Sequence, residues 1–201
     1  ALIAAESLGV PGAMKINSPE IFHKSDVSGV RLNIREPRSV RTAFREMMEA
    51  VAIQVPGARL EGVTVEPMSS RPHAREIMVG IVQDPVFGPV IKFGASGVAV
   101  ELFDDAHVAL PPLNEYLTKR LIEGTRMAQF LRKFRNFPEA NLGPLVEVLQ
   151  RISEMACELP EILELDINPL LVDEQGVIAL DARIRVGHPK TSIARYDHMA
   201  I

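Results

Sequence analysis

Residues 164–172 and 177–186 are two strand-like runs joined by Asp173-Glu174-Gln175-Gly176, and together they hold the side chains best suited to chemistry. A short polar connection with Asp first and Gly last predicts a β-hairpin. Placing Val172 opposite Val177 sets the remaining pairs by counting: Asn168 faces Asp181, Asp166 faces Arg183 and Glu164 faces Arg185. The other face then reads Leu165, Ile167, Pro169 and Leu171 against Ile178, Leu180, Ala182 and Ile184, which is wholly apolar. Opposed Cβ atoms on antiparallel strands lie about 4.5–5.5 Å apart. An amide and a carboxylate at that separation offer two oxygens to one point. Magnesium accepts such oxygens and completes its shell with water and phosphate, the arrangement used in phosphoryl transfer. A solvated amphipathic hairpin is the plainer reading, and Glu164–Arg185 and Asp166–Arg183 suit it as cross-strand ion pairs. Asn168–Asp181 is not an ion pair and suits it less well. Pro169 has no N–H to give a ladder and therefore bears on the register.

The elements that must position this hairpin are legible in outline. Residues 1–8 read as the end of a helix broken by Gly9 and Pro11-Gly12, and 13–16 as a strand. A polar loop over 19–26 precedes a strand at 30–34. Residues 37–53 form a helix with Pro37 in its first turn and Val40, Phe44, Met47 and Val51 in one stripe. Strands are expected at 60–65, 75–83, 89–93 and 98–102, with a small-residue loop at 94–97. Helical segments follow over 113–134 and 142–158, the latter with Leu145, Leu149, Ile152 and Ala156 on one side. Strands and helices mix without a βαβ rhythm, which predicts an α+β fold rather than a doubly wound sheet.

Composition narrows the function. A net charge of −4 with no polybasic run argues against nucleic acid as the main partner. No apolar stretch nears the roughly 20 residues of a membrane helix. The first residues lack the basic flank of a signal peptide. A single cysteine, Cys157, excludes an internal disulfide, suits a reducing cytoplasmic compartment and is expected as a small buried hydrophobe. Both ends look cut from a longer chain.

The run Glu164-Leu165-Asp166-Ile167-Asn168-Pro169-Leu170 resembles the ATP-grasp domain of ADP-forming acyl-CoA synthetases, relatives of the succinyl-CoA synthetase β subunit. Further segments match in the same order: Lys15 to Val27, Glu66-Pro67-Met68, Arg75-Glu76-Ile77-Met78-Val79-Gly80, Asp84 to Pro89 and Leu180-Asp181-Ala182-Arg183. The resemblance implies two lobes with antiparallel or mixed sheets holding ATP between them. It divides the chain into a truncated N-terminal lobe (1–67), a C-terminal lobe with the magnesium hairpin (68–186) and a linker (187–201). Residues Ala194 to Ile201 are similar to the segment that leads into an acetyltransferase (GNAT) domain in bacterial protein-lysine acetyltransferases.

By that resemblance Lys15 contacts nucleotide phosphates, for which a compact ammonium with three donors is suited. Glu66 and the Met68 backbone meet the adenine edge, Pro67 stiffens the hinge and Glu76 belongs to the same nucleotide site. Asn168 and Asp181 hold Mg2+ against ATP or ADP. His23 carries phosphate between a distant acyl-CoA site and ADP, its imidazole a neutral nucleophile at pH 7, and Asp166 orients that ring. His73, His107, His188 and His198 are read as ordinary solvent-facing histidines. The family usually has glycine where this chain has Ser28 and Ser96, and glycine permits positive φ and close backbone approach. Expected partners are nucleotide, a CoA-binding domain on the same or a partner chain, a downstream GNAT domain and a second copy of the chain. Three functions stay open: a nucleotide-binding domain within a protein-lysine acetyltransferase, a catalytic ADP-forming acyl-CoA ligase subunit, and a ligand-sensing or structural module without turnover.

Overall fold

The computed structural model describes residues 12–21, 24–69, 71–97 and 105–188. The chain divides into two units, Ala1–Ser70 and Arg71–Ile201. The expected helix at 1–8 and strand at 98–102 lie outside the described residues, as do His23 and the segment Ala194 to Ile201.

The first unit is a three-stranded antiparallel sheet with one helix. Strands β1 (Gly12–Asn17), β2 (Val30–Ile34) and β3 (Gly62–Pro67) are ordered β2-β1-β3. Helix α1 (Pro37–Gln54) has Pro37 where a missing N–H is harmless. Its buried Val40, Met47 and Val51 pack with Met14 and Ile16 of β1, and the period-2 alternation of β1 therefore sends Lys15 and Asn17 to the opposite face. The polar loop before β2 contains a 3-10 turn, Lys24–Val27. Ser28, at a position where glycine is usual in the resembled family, takes φ +58°. Gly29 beside it admits no side chain: a Cβ there would lie 2.5 Å from Ile16 Cγ2 and 2.8 Å from the Lys24 carbonyl. The strand expected at 60–65 is observed two residues later, because Gly62 (φ +120°) starts the extended run and Glu66 and Pro67 still pair with β1.

The second unit is a six-stranded antiparallel sheet with helices on one face. Its strands are β4 (Arg75–Asp84), β5 (Gly88–Ala95), β6 (Ala106–Ala109), β7 (Ile162–Asp173), β8 (Gly176–Ala179) and β9 (Ala182–Val186). The order is β6-β5-β4-β7-β8, with β9 also on β7. Helices α2 (Glu115–Glu123), α3 (Met127–Leu131) and α4 (Leu142–Glu158) cover the core face. There Leu121, Leu131, Leu145, Leu149 and Ile152 meet Ile77, Val79, Ile81, Ile91 and Phe93. Asn114 and Asn141 cap α2 and α4 by accepting from the N–H groups of Leu117 and Gly143. The helical stretch expected over 113–134 is broken at 124–126. There the Asp105 carboxylate takes the N–H groups of Arg126 and Met127 at 2.7 and 2.8 Å and starts a separate turn. Residues Gly94 and Ala95 extend β5 rather than opening a loop, and β6 was not expected.

Two further expectations are corrected. Cys157 is exposed on α4 rather than buried. Its stripe neighbours Leu149, Ile152 and Ala156 face the core one turn around, and partial desolvation, with Glu158 nearby, pushes its thiol up. His73 is not merely solvated: it meets Glu174 Oε1 at 3.2 Å and sets its ring edge-on to Phe137. No helix among the described residues is long and apolar enough to cross a membrane.

Candidate functional site

The hairpin forms as counting predicts. Val172 pairs with Val177, Leu170 with Ala179, Ile167 with Ala182, Asp166 with Arg183 and Glu164 with Arg185. The count runs unbroken through Pro169. Asn168 donates its backbone N–H to the Asp181 carbonyl at 3.1 Å, and Leu180 donates to the Pro169 carbonyl at 3.0 Å. Pro169 lacks a donor, and here its carbonyl does the pairing.

The wholly apolar face is not observed. Ile77 pairs with Leu170 but Val79 with Ile167, so two steps on β4 oppose three on β7. This bulge shifts the pleat. Leu165 and Ile167 meet the core before it, and Leu170 and Val172 after it, in place of the expected run through Pro169 and Leu171. A bulge turns the extra residue out of the ladder and commonly re-aims a side chain at a functional site. Asn168 and Pro169 are the residues left between those pairs, and Asn168 is exposed. The second strand is likewise interrupted, between Ala179 and Ala182, where Leu180 and Asp181 sit.

A loop from β5 reaches this point. Ser96 Oγ donates to Asn168 Oδ1. The Ser96 N–H donates to the Glu76 carbonyl at 3.1 Å, and Gly97 (φ +84°) passes so close to Glu76 that a Cβ would lie 3.3 Å from Oε2. Arg183 Nη2 stands 3.7 Å from Asp181 Oδ2. Glu76, Ser96, Asn168 and Asp181 thus gather on neighbouring strands of one unit, with Asp166 two residues along β7 and opposite Arg183. No cluster of three or more His, Cys, Asp or Glu side chains with metal-binding geometry occurs among the described residues. One amide and one carboxylate are hard-oxygen groups of the kind that fit magnesium when water and phosphate complete the shell.

The first unit joins two of the other candidates. Lys15 Nζ donates to Glu66 Oε2 at 2.7 Å, with the Lys15 side chain 12% exposed and Glu66 42% exposed. The register explains it: Lys15 pairs with Thr64 and Ala13 with Glu66, so the two charges are diagonal neighbours on the face away from α1. Thr64 Oγ1 lies 3.4 Å from the other Glu66 oxygen. Pro67 closes β3 and Met68 follows it, half-buried.

Two buried charges brace the second unit. Asp173 Oδ1 accepts from Arg71 Nη1 at 2.8 Å, Gln175 N at 2.9 Å and Gly176 N at 3.1 Å, which folds the hairpin turn. Arg75 is 1% exposed. It donates to the carbonyls of His73, Phe130, Arg132 and Pro138 between the rings of Phe130 and Phe137. Burial lowers its pKa, and Glu174 and Asp173 oppose that.

The sequence did not indicate that Ser96 would touch Asn168 or that Lys15 and Glu66 would pair with each other. Ser96 was marked only as a departure from glycine, and that departure was the one available signal.

Comparison with known proteins bears on the family and the fold. Residues 1–186 match the ATP-grasp domain family. The chain is 38% identical over 177 residues to the β subunit of acetate–CoA ligase [ADP-forming] I from Pyrococcus furiosus, covering 88% of this chain and 75% of that subunit. It is 37% identical over 183 residues to acetate–CoA ligase [ADP-forming] I of Archaeoglobus fulgidus, covering 91% of this chain but only 26% of that longer protein. Among solved structures, the dinucleotide-forming acetyl-coenzyme A synthetase 1 of Ca. Korarchaeum cryptofilum, in complex with coenzyme A, Ca-AMPCP and HgCl+, superposes with a TM-score of 0.86 at 36% identity, over 93% of this chain and 81% of that chain. The same enzyme with coenzyme A and Mg-AMPPCP, its phosphohistidine segment pointing towards the nucleotide binding site, gives a TM-score of 0.77 at 32% identity, over 93% and 81% of the two chains.

Proposed function

The chain belongs to the ATP-grasp domain family in the form found in the β subunits of ADP-forming acetate–CoA ligases, and from that premise we propose that it is the nucleotide-handling domain of an ADP-forming acyl-CoA synthetase. The observation that carries this is that Asn168 and Asp181 stand opposite each other at the β7 bulge, the Asn168 N–H donating to the Asp181 carbonyl at 3.1 Å. Those two would hold Mg2+, which when bound neutralises charge on the phosphate oxygens of ATP or ADP. Lys15, fixed by Glu66, brings an ammonium suited to phosphate. Glu66 keeps its less engaged oxygen, with Pro67 and Met68, for the adenine edge. Glu76 lines the turn that carries Ser96.

In the proposed reaction a neutral imidazole nitrogen of His23 attacks the phosphorus of an acyl phosphate. The P–O bond to the acyl group breaks, and the carboxylate leaves as the acyl donor is consumed. A terminal oxygen of the ADP β-phosphate then attacks the phosphohistidine. The P–N bond breaks, and ATP and neutral imidazole result. A CoA-binding domain, on the same or a partner chain, would supply the acyl phosphate.

The test uses the full-length protein. Mg2+-dependent binding of ADP should weaken at least about tenfold in Asn168→Ala and in Asp181→Ala, the loss of a charge-assisted ligand. Phosphohistidine labelling should vanish in His23→Ala. Equal labelling of that variant and the parent removes His23 as the carrier, and unchanged ADP binding in both others removes the magnesium site. The finer origin, within a GNAT-fused acetyltransferase, rests on residues 194–201 alone, and a ligase subunit accounts for the same domain. The coding sequence beyond Ile201 separates them: a GNAT domain there supports the first.

A further inference from the structure

Ser96 sits where the turn after β5 meets the bulge of β7, 72 positions from Asn168 in sequence, yet its hydroxyl donates to the Asn168 amide oxygen. We propose that Ser96 is a positioning residue that holds the Asn168 side chain with its oxygen, not its NH2, toward the cation point. The inference rests on the magnesium reading above.

Three observations lead to it. First, a primary amide turns almost freely about its last torsion, which has a broad, roughly two-fold profile. An unsecured Asn168, exposed as it is, would present its NH2 as readily as its oxygen, and NH2 hydrogens repel a cation. The Ser96 hydroxyl donating to Oδ1 favours the orientation in which that oxygen is held toward the turn. Second, a carbonyl oxygen has two lone pairs. Ser96 takes one and leaves the other for a cation, while the hydroxyl keeps its own lone pairs for a metal-bound water. Third, Ser96 is itself held. Its N–H donates to Glu76 O at 3.1 Å, and the preceding Ala95 N–H donates to Asp105 O at 3.1 Å. Gly97 passes against the Glu76 carboxylate, where even a Cβ would come within 3.3 Å. A hydroxyl on backbone anchored at Ala95 and Ser96 can fix a neighbour, whereas one on a free loop cannot.

Glycine at this position would leave Asn168 without that donor. The chain therefore has a device that couples the turn 95–97 to metal affinity. The device acts on the ion's ligand and leaves the nucleotide's own contacts untouched.

The experiment measures Mn2+ affinity of the full-length protein with a non-hydrolysable ATP analogue, by electron paramagnetic resonance of free Mn2+. Nucleotide affinity in EDTA is measured in parallel. Ser96→Ala should weaken Mn2+ binding about fivefold, the size of one net hydrogen bond, and leave nucleotide affinity in EDTA within about twofold. Ser96→Thr, which keeps the hydroxyl, should bind Mn2+ as the parent does. In an Asn168→Ala background, Ser96→Ala should add nothing further, because the residue acts through Asn168. Unchanged Mn2+ affinity in Ser96→Ala, an equal loss in EDTA, or a further fivefold loss in the Asn168→Ala background would each overturn the proposal. If Asn168→Ala itself binds Mn2+ as the parent does, it is the magnesium reading that fails. A weak Asn168→Ala beside an unchanged Ser96→Ala rejects only the role of Ser96.

Discussion

Asp173 is the residue on which the hairpin's register most directly depends, and its replacement can be worked through from its contacts. One oxygen, Oδ1, receives three donors: the guanidinium of Arg71 and the N–H groups of Gln175 and Gly176. The side chain is 2% exposed, so water replaces little of what is lost. Hydrogen bonds to a charged group contribute about 1.5–3 kcal/mol each, and breaking a buried pair from one side costs about 3–5 kcal/mol. Arg71 keeps a long contact of 3.5 Å to the Gly176 carbonyl, and the freed N–H of exposed Gln175 can meet water while that of buried Gly176 cannot. The middle of the range therefore applies, and Asp173→Ala should lose about 4 kcal/mol. Asp173→Asn keeps an oxygen for both N–H groups and loses only the charge toward Arg71, so about 1–2 kcal/mol is expected. Urea unfolding followed by circular dichroism measures both. For a chain of 201 residues the Ala variant should melt about 8–16 °C lower. An Ala variant within about 1 kcal/mol of the parent, or an Asn variant as unstable as Ala, would refute the claim that this oxygen organises the turn.

Arg75→Met should destabilise by about 3–5 kcal/mol, since four carbonyls over residues 73–138 lose their donor while the apolar stem is kept; hydrogen exchange should quicken first around Phe130–Pro138, and slow exchange there would contradict it. The Asp84 carboxyl is held below its ordinary range by the N–H groups of Phe87 and then Val86. With the folded pKa depressed, its contribution to the β4–β5 turn is present above the ordinary carboxylate range and is lost as pH falls through the folded value. Carboxyl NMR titration should place Asp84 below a free aspartate, and a midpoint at or above the ordinary value would count against the turn geometry.

How far the sequence reached follows the distance over which each feature is set. The hairpin pairs followed from a four-residue turn and a count of two, because antiparallel register is local once the turn is fixed. Helix α4 is legible from its apolar stripe, and the structure adds the Asn141 cap at its start. The exposed thiol of Cys157 was misread because intrinsic burial preference was weighed without its angle from that stripe. Ser28 was flagged as an odd residue for its position, and its φ of +58° shows serine adopting the backbone that glycine usually supplies.

The mixed fold, the family and the opposition of Asn168 to Asp181 are legible in the order of residues alone. All three follow from short-range periodicity, turn chemistry and ordered motifs. That β4 meets β7 one residue short, leaving Asn168 and Pro169 without separate partners on β4, is a property of the tertiary fold. That fold alone brought Ser96 onto the Asn168 amide and paired Lys15 with Glu66 across 51 positions. The reason is physical: a bulge belongs to the pairing of two distant strands, and contacts between distant residues leave no period in the chain that makes them.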